Sequence, residues 1–268
     1  MPNHNLEFVP FRPNVAPSYP DAWSGLARFT NARIALGRAG GSWRTETLLA
    51  FRLAHAQARD AVGKAFEPDS LEADLHQAGY ETLRLTTEVN RHALFLKRPD
   101  LGRRLSNASR QLLAEQANTW TNRQLAVIIS DGLSAQAAEK QAAPTLIELL
   151  PLLSQADWKI YPTIIVPFAR VKLQDEIGAI LGVRHTLMLL GERPGLGSPD
   201  SLGAYFTFEP GPTRIDADRT CVSNIRPDGL APSEAAKRLA HLLLQSAEQR
   251  VSGIRLVETV GATQKRMA

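Results

Sequence analysis

The stretch from His185 to Ile225, HTLMLLGERPGLGSPDSLGAYFTFEPGPTRIDADRTCVSNI, decides how the rest of the chain is read. An apolar run, Thr186 to Leu190, enters a loop that carries Gly191, Gly195 and Gly197 together with Glu192 and Arg193. A second run, Tyr205 to Phe208, follows, and then a charge-alternating segment, Arg214 to Arg219, just before Cys221. Apolar runs bounded by glycine and proline clusters read as buried strands. A glycine-rich loop leaving such a strand is where an α/β sheet usually places a ligand, because glycine lets the backbone approach a large, flat or phosphorylated group. The spacing is not a nucleotide fingerprint. Pro194 sits inside it, a strand follows where the dinucleotide pattern needs a helix, and the Lys-Ser/Thr pair of a phosphate loop is missing. Residue types alone leave two readings open, a rigid strand connection and a ligand-holding loop.

Working outward, Leu125–Ser130 and Thr163–Phe168 are further strand-like runs, and 135–153, 170–181 and 233–250 carry helical spacing, with Gly182 as a stop and Pro144 expected to bend or split its helix. Strands alternating with helices imply an α/β domain over 119–268, a Rossmann-like or flavodoxin-like doubly wound parallel sheet covered on both faces. Residues 24–118 read as a helical N-terminal region, with helices over 43–63 (Ser42 as its cap), 68–80 and 103–118. The proline-rich stretch 1–23 reads as an extended arm.

The chain has 268 residues, and its single cysteine excludes an internal disulfide framework and fits a reducing cytoplasm. No apolar run reaches the ~20 residues of a membrane span, and the N-terminus lacks the pattern of a secretory signal. The basic balance is mostly arginine, 24 Arg against seven Lys. The arginines are scattered and aromatics are few, so the basic stripe with stacking rings that marks a nucleic-acid groove is not present. Arginine-heavy surfaces suit partner interfaces and acidic groups.

In a doubly wound sheet, chemistry sits outside the carboxyl ends of the strands. Three such ends are readable: Ser130–Ser134, Ala169–Val171 and Gly191–Arg193. Each has a plain structural reading. Asp131 reads as a turn residue with Ser134 capping the next helix, Val171 as packing, Glu192 with Arg193 as a loop ion pair, and Cys221 as a small buried hydrophobe. Asp216 and Asp218, flanked by Arg214 and Arg219, read as a solvated charge ladder. No nucleophile elbow, metal-ligand spacing or isolated carboxylate pair is present, so no catalytic or metal-binding residue is expected in this chain.

Five blocks, taken together, resemble one family: Arg33–Gly40, Asp100–Leu105, Ile129–Ala135, Gly191–Gly197 and Asp218–Arg226 look like the small subunit of ethanolamine ammonia-lyase, in that family's order. The resemblance covers roughly residues 30–255 and implies an adenosylcobalamin-dependent lyase that converts ethanolamine to acetaldehyde and ammonia through a 5′-deoxyadenosyl radical. It implies an obligate hetero-oligomer in which a TIM-barrel large subunit holds substrate and the reacting groups, while the small subunit covers the other side of the corrin. Carried over by position, the family's cobalamin contacts fall on Val171, Glu192 and Cys221. The resemblance is compatible with encapsulation in a bacterial microcompartment, although the arm shows no amphipathic targeting helix. The competing readings are a stand-alone α/β enzyme using a nucleotide or flavin, and an arginine-rich interaction module.

Overall fold

The structure, a computed structural model, describes residues 21–30 and 32–258, so the arm expected over 1–23 lies almost entirely outside the described residues. The chain divides into two compact units, Met1–Ala56 and Gln57–Ala268. In the first, a 3-10 turn spans Ser24–Phe29, and a two-stranded hairpin joins β1 (Arg38–Ala39) to β2 (Ser42–Trp43). Ser42, expected to cap a helix, instead pairs with Ala39 in that hairpin, and α1 (Thr45–Gly63) begins beyond it. Gly40, at φ +62°, supplies the left-handed backbone that so tight a reversal needs.

The second unit is built on a six-stranded sheet. Its elements are α2 (Pro68–Gln77), β3 (Thr82–Arg84), α3 (His92–Lys97), α4 (Asn107–Thr119), β4 (Leu125–Ser130), α5 (Ala135–Gln155), β5 (Thr163–Ile165), α6 (Leu173–Leu181), β6 (His185–Gly191), β7 (Leu202–Phe208), β8 (Arg219–Ile225) and α7 (Pro232–Gln249). The strand order is β3-β5-β4-β6-β7-β8. The α/β class follows the sequence, and two details depart from it. Thr82–Arg84, within the stretch read as helical, forms a parallel edge strand against β5; a strand so short has no room to show a period. The sheet is also mixed. β3, β5, β4 and β6 run parallel, but β7 turns back antiparallel to β6 and β8 antiparallel to β7, because their connections are loops too short to carry a crossover helix.

Alternation along the strands separates two cores. Val127, Ile129, Leu187, Leu189, Ala204, Phe206 and Val222 face α5 and α7. Ala126, Ile128, Met188 and Leu190 face the other way, against Leu173, Ile177 and Leu181 of α6 and Leu113 of α4. α5 runs unbroken through Pro144 and Pro151, so Pro144 does not split it. Its fully buried stripe of Ala138, Ala142, Leu146, Leu149 and Leu153 offsets the missing backbone donors. α6 ends at Gly182 in a left-handed conformation (φ +59°), the stop its position predicted.

His185, at the start of β6, is fully buried between Trp158 and Phe208, with Nε2 3.1 Å from the Ser246 hydroxyl. Burial, reinforced by Arg184, drops its pKa from 6.5 to about 3, so the ring is neutral in the fold and takes a proton on unfolding. Its contribution to stability is therefore present above the unfolded pKa and is lost as pH falls from about 6.5 toward 3. In urea denaturation between pH 7 and pH 5, this site should remove about 2 kcal/mol. A His185→Gln variant should lose that part of the slope; an identical pH profile for both proteins would contradict it.

Candidate functional site

α6 covers the sheet only as far as β6, because no helix follows β6 or β7 in sequence. On that side, Tyr205 of β7 and its register partner Cys221 of β8 face an open-sided recess of about 650 Å³. Val171, Arg170 and Lys172 wall it on the α6 side, Arg103 stands beside them, and the loop Pro212–Asp216 closes another edge. The recess is a stretch of sheet face that the topology leaves without a helix.

Val171 is placed by a chain of buried polar contacts that starts on β4. Asp131 is 4 % exposed, and its Oδ1 accepts from the Phe168 backbone N–H at 2.7 Å and the Ser130 hydroxyl at 3.0 Å. The Ser130 hydroxyl oxygen in turn accepts from the Ala169 N–H at 3.0 Å. These bonds hold Phe168 at φ +60°, a conformation that costs a non-glycine residue about 1 kcal/mol or more and persists only where its surroundings enforce it. Burial pushes the Asp131 carboxyl up to about 6 against the pull of these donors. Asp131 is thus the buried clamp of the loop that presents Val171, while Ser134 does cap α5, accepting from the Ala137 N–H at 3.2 Å.

Cys221 is placed by Arg219, which is not a solvated rung of a charge ladder. Its guanidinium is 3 % exposed and meets Asp175 of α6 in a two-pronged contact, both N–O distances 2.8 Å, with the Thr207 hydroxyl oxygen at 3.2 Å. Lys172 donates to the same carboxylate at 3.0 Å and to the carbonyls of Pro212 and Arg214, which ties the Pro212–Asp216 loop to α6. Asp216–Asp218 form a 3-10 turn.

Glu192 leaves the end of β6 and lies over Gly203, whose missing side chain makes the room: a Cβ there would stand 2.8 Å from Glu192 Oε1 and 2.8 Å from the Tyr205 ring. Oε2 accepts from the Ser201 hydroxyl at 2.6 Å. The expected Glu192–Arg193 pair is not formed; the loop geometry turns the carboxylate back toward β7. The structure therefore brings Val171 and Cys221 into one recess, with Glu192 at its edge beside Tyr205 and outside its lining. Cys221 is exposed to the recess, not a buried hydrophobe, and desolvation first, then Glu192, raises its thiol pKa while Tyr205 pulls the other way. Desolvation, with Cys221 and Glu192 adding, also raises the Tyr205 hydroxyl.

Sequence reasoning missed Asp175, Arg219 and Tyr205 as shapers of this site. Tyr205 carried a readable signal, a polar-tipped ring at an alternate position of an otherwise apolar strand. The Arg219–Asp175 pair joins distant segments and left none.

The model of the ethanolamine ammonia-lyase light-chain family matches residues 20–257. The chain belongs to that family. It is 46% identical over 242 residues to the ethanolamine ammonia-lyase small subunit of Azotobacter vinelandii, covering 90% of each chain. It is 45% identical over 237 residues to the small subunits of Xanthomonas campestris pv. campestris (88% of this chain, 87% of that one) and Ralstonia nicotianae (88% of each). The family match takes in every element around the recess. Among the described residues no cluster of His, Cys, Asp or Glu has the arrangement of a metal site, and no helix is long and apolar enough to cross a membrane.

The reach of the Glu192 charge to the Cys221 thiol is testable in the chain alone. Cys221 should react with iodoacetamide at pH 8 more slowly than free cysteine, and Glu192→Gln should speed it roughly threefold by removing the nearby negative charge. Tyr205→Phe should slow it. An unchanged rate in Glu192→Gln would contradict the geometry.

Proposed function

We propose that this chain is the small subunit that completes an adenosylcobalamin site in ethanolamine ammonia-lyase, holding one side of the corrin while a large subunit carries the substrate. The observation that carries this reading is the recess itself: a bare sheet face that gathers Val171 and Cys221, with Glu192 at its rim. A recess of about 650 Å³ is within the usual range for a ligand pocket, and its open side suits a bulky flat group covered from above by a second protein. The residue chemistry fits a corrin. Glu192 has one oxygen held by Ser201, which orients the other to accept from amide N–H groups of the ring's side chains. Val171 and Cys221 present small, soft surfaces for close packing. When bound, the group supplies a cobalt–carbon bond whose homolysis begins radical chemistry; the protein here supplies position and exclusion of water.

A partner surface is supported by Trp43, Phe29, Leu49 and Leu53, all exposed large hydrophobics, and by the arginine excess of the chain. The stand-alone nucleotide or flavin enzyme is disfavoured by the same geometry: after Gly191 the chain closes on itself through Gly195 and Ser198 and enters β7, so the loop leads into a strand where a dinucleotide or phosphate loop leads into a helix. This reading places the enzyme in the bacterial cytoplasm.

Co-expression with the large subunit should give a stoichiometric complex whose cobalamin spectrum shifts on titration and which releases acetaldehyde from ethanolamine. In that complex Glu192→Ala should weaken cobalamin binding by about tenfold or more, the loss expected for a hydrogen bond to a charged acceptor. Unchanged affinity in the variant would remove Glu192 from the site, and no spectral shift in the wild-type complex would overturn the reading.

A further inference from the structure

We infer that Asp131 is a positioning residue for the cofactor: from outside the recess, its carboxylate sets the affinity for the bound group by fixing the backbone that presents Val171. The inference rests on the cofactor reading above. It gives a role to the block Ile129–Ala135, which contributes no side chain to the recess lining.

That block lies between the loops that carry Val171 and Glu192 and is bonded to both. On one side, Asp131 Oδ1 accepts from the Phe168 N–H at 2.7 Å and the Ser130 hydroxyl at 3.0 Å, and the Ser130 oxygen accepts from the Ala169 N–H. On the other, the Leu133 N–H donates to the Gly191 carbonyl at 2.9 Å, and the Ser134 hydroxyl donates to the Pro199 carbonyl at 2.7 Å. Gly132, at φ +54°, permits this approach, since a side chain there would run into the Gly191 carbonyl and Leu190. Of the two arms, only the one that reaches Phe168 ends on an ionisable group. The charged groups that act on the buried Asp131 are His92 of α3 and Arg170 of the loop it holds.

An N–H bonds a carboxylate more strongly than a neutral carboxyl group. Phe168 needs that grip, because its left-handed φ persists only where its surroundings enforce it. Loss of the charge relaxes Phe168 and Ala169, the residues that lead into Arg170 and Val171, and so loosens Val171 against the ligand. Burial meanwhile raises the carboxyl from 3.8 to about 6, so the fold itself favours the neutral form. The stability gained from that proton is present below about 3.8 and is lost as pH rises through about 6. At pH 8 the chain therefore carries the charge at a cost to its own stability, as strained functional sites do.

The test is equilibrium dialysis of cyanocobalamin, whose axial ligands do not titrate in this range, against the complex of this chain with its large subunit. From pH 8 to pH 5 the wild-type Kd should rise about fivefold, with a midpoint near 6. Asp131→Asn should bind about fivefold more weakly at pH 8 and show no such rise. His92→Gln and Ser130→Ala leave the carboxyl in place and should keep the rise. In the cofactor-free complex at pH 8, Asp131→Asn should speed amide exchange over 168–171 without lowering the urea midpoint. Equal affinity of the Asp131→Asn and wild-type complexes at pH 8, a rise that survives in Asp131→Asn, or unchanged exchange over 168–171 would each overturn the inference. A urea midpoint that falls in step with affinity would make Asp131 a purely structural residue and overturn it too. A wild-type complex that binds no cobalamin at pH 8 would remove the cofactor reading and this inference together.

Discussion

The buried ion pair between Arg219 and Asp175 is the contact on which the site depends. It joins the first turn of α6 to the start of β8, elements that share no backbone hydrogen bonds, and so fixes how far Val171 stands from Cys221. Two charges taken this far out of water repay their desolvation only with good geometry and further hydrogen bonds, and both are present: a two-pronged contact, a threonine hydroxyl and a lysine. Removing one partner would leave the other charge buried and unpaired, at a cost of about 3–5 kcal/mol. Lys172 extends the same network to the Pro212–Asp216 loop, so one cluster of charges shapes the floor, the wall and one edge of the recess.

That recess exists because the sheet changes direction. A wholly parallel sheet would carry a crossover helix beside each strand and cover this face. The antiparallel turn from β6 into β7 and β8 omits that helix and leaves Tyr205 and Cys221 facing outward. A bare sheet face with a charged wall is poor for a solitary protein and well suited to one that closes against a partner with a large ligand between them.

What could be read from the sequence divides along physical lines. The long strands β4, β6 and β7 announced themselves as apolar runs, and Gly182 as a helix stop, because those signals are local. The three residues carried over from the family resemblance, Val171, Glu192 and Cys221, lie close together around one stretch of sheet. The direction of β7 and β8 was not legible, since an antiparallel strand buried on one face and packed on the other has the same run of apolar residues as a parallel one. β3 was too short to show a period, and the hairpin ending at Trp43 took Ser42 away from the helix it was expected to cap. Asp131 looked like a turn residue because turn residues and buried loop clamps draw on the same side chain; only the approach of Phe168 from a distant loop distinguishes them. Arg219 and Asp175 were invisible as a pair for the same reason: each has ordinary neighbours in sequence, and their meeting is a product of the fold.

The most direct test is hydrogen–deuterium exchange on the complex of this chain with its large subunit, with and without adenosylcobalamin. The account predicts slowed exchange on cofactor addition in the segments 168–172, 192–201 and 209–216 around the recess, with no change at the opposite end of the sheet near Tyr80, Trp158 and Tyr161, where a second, smaller recess lies. Protection confined to that opposite end, or none in this chain, would contradict it.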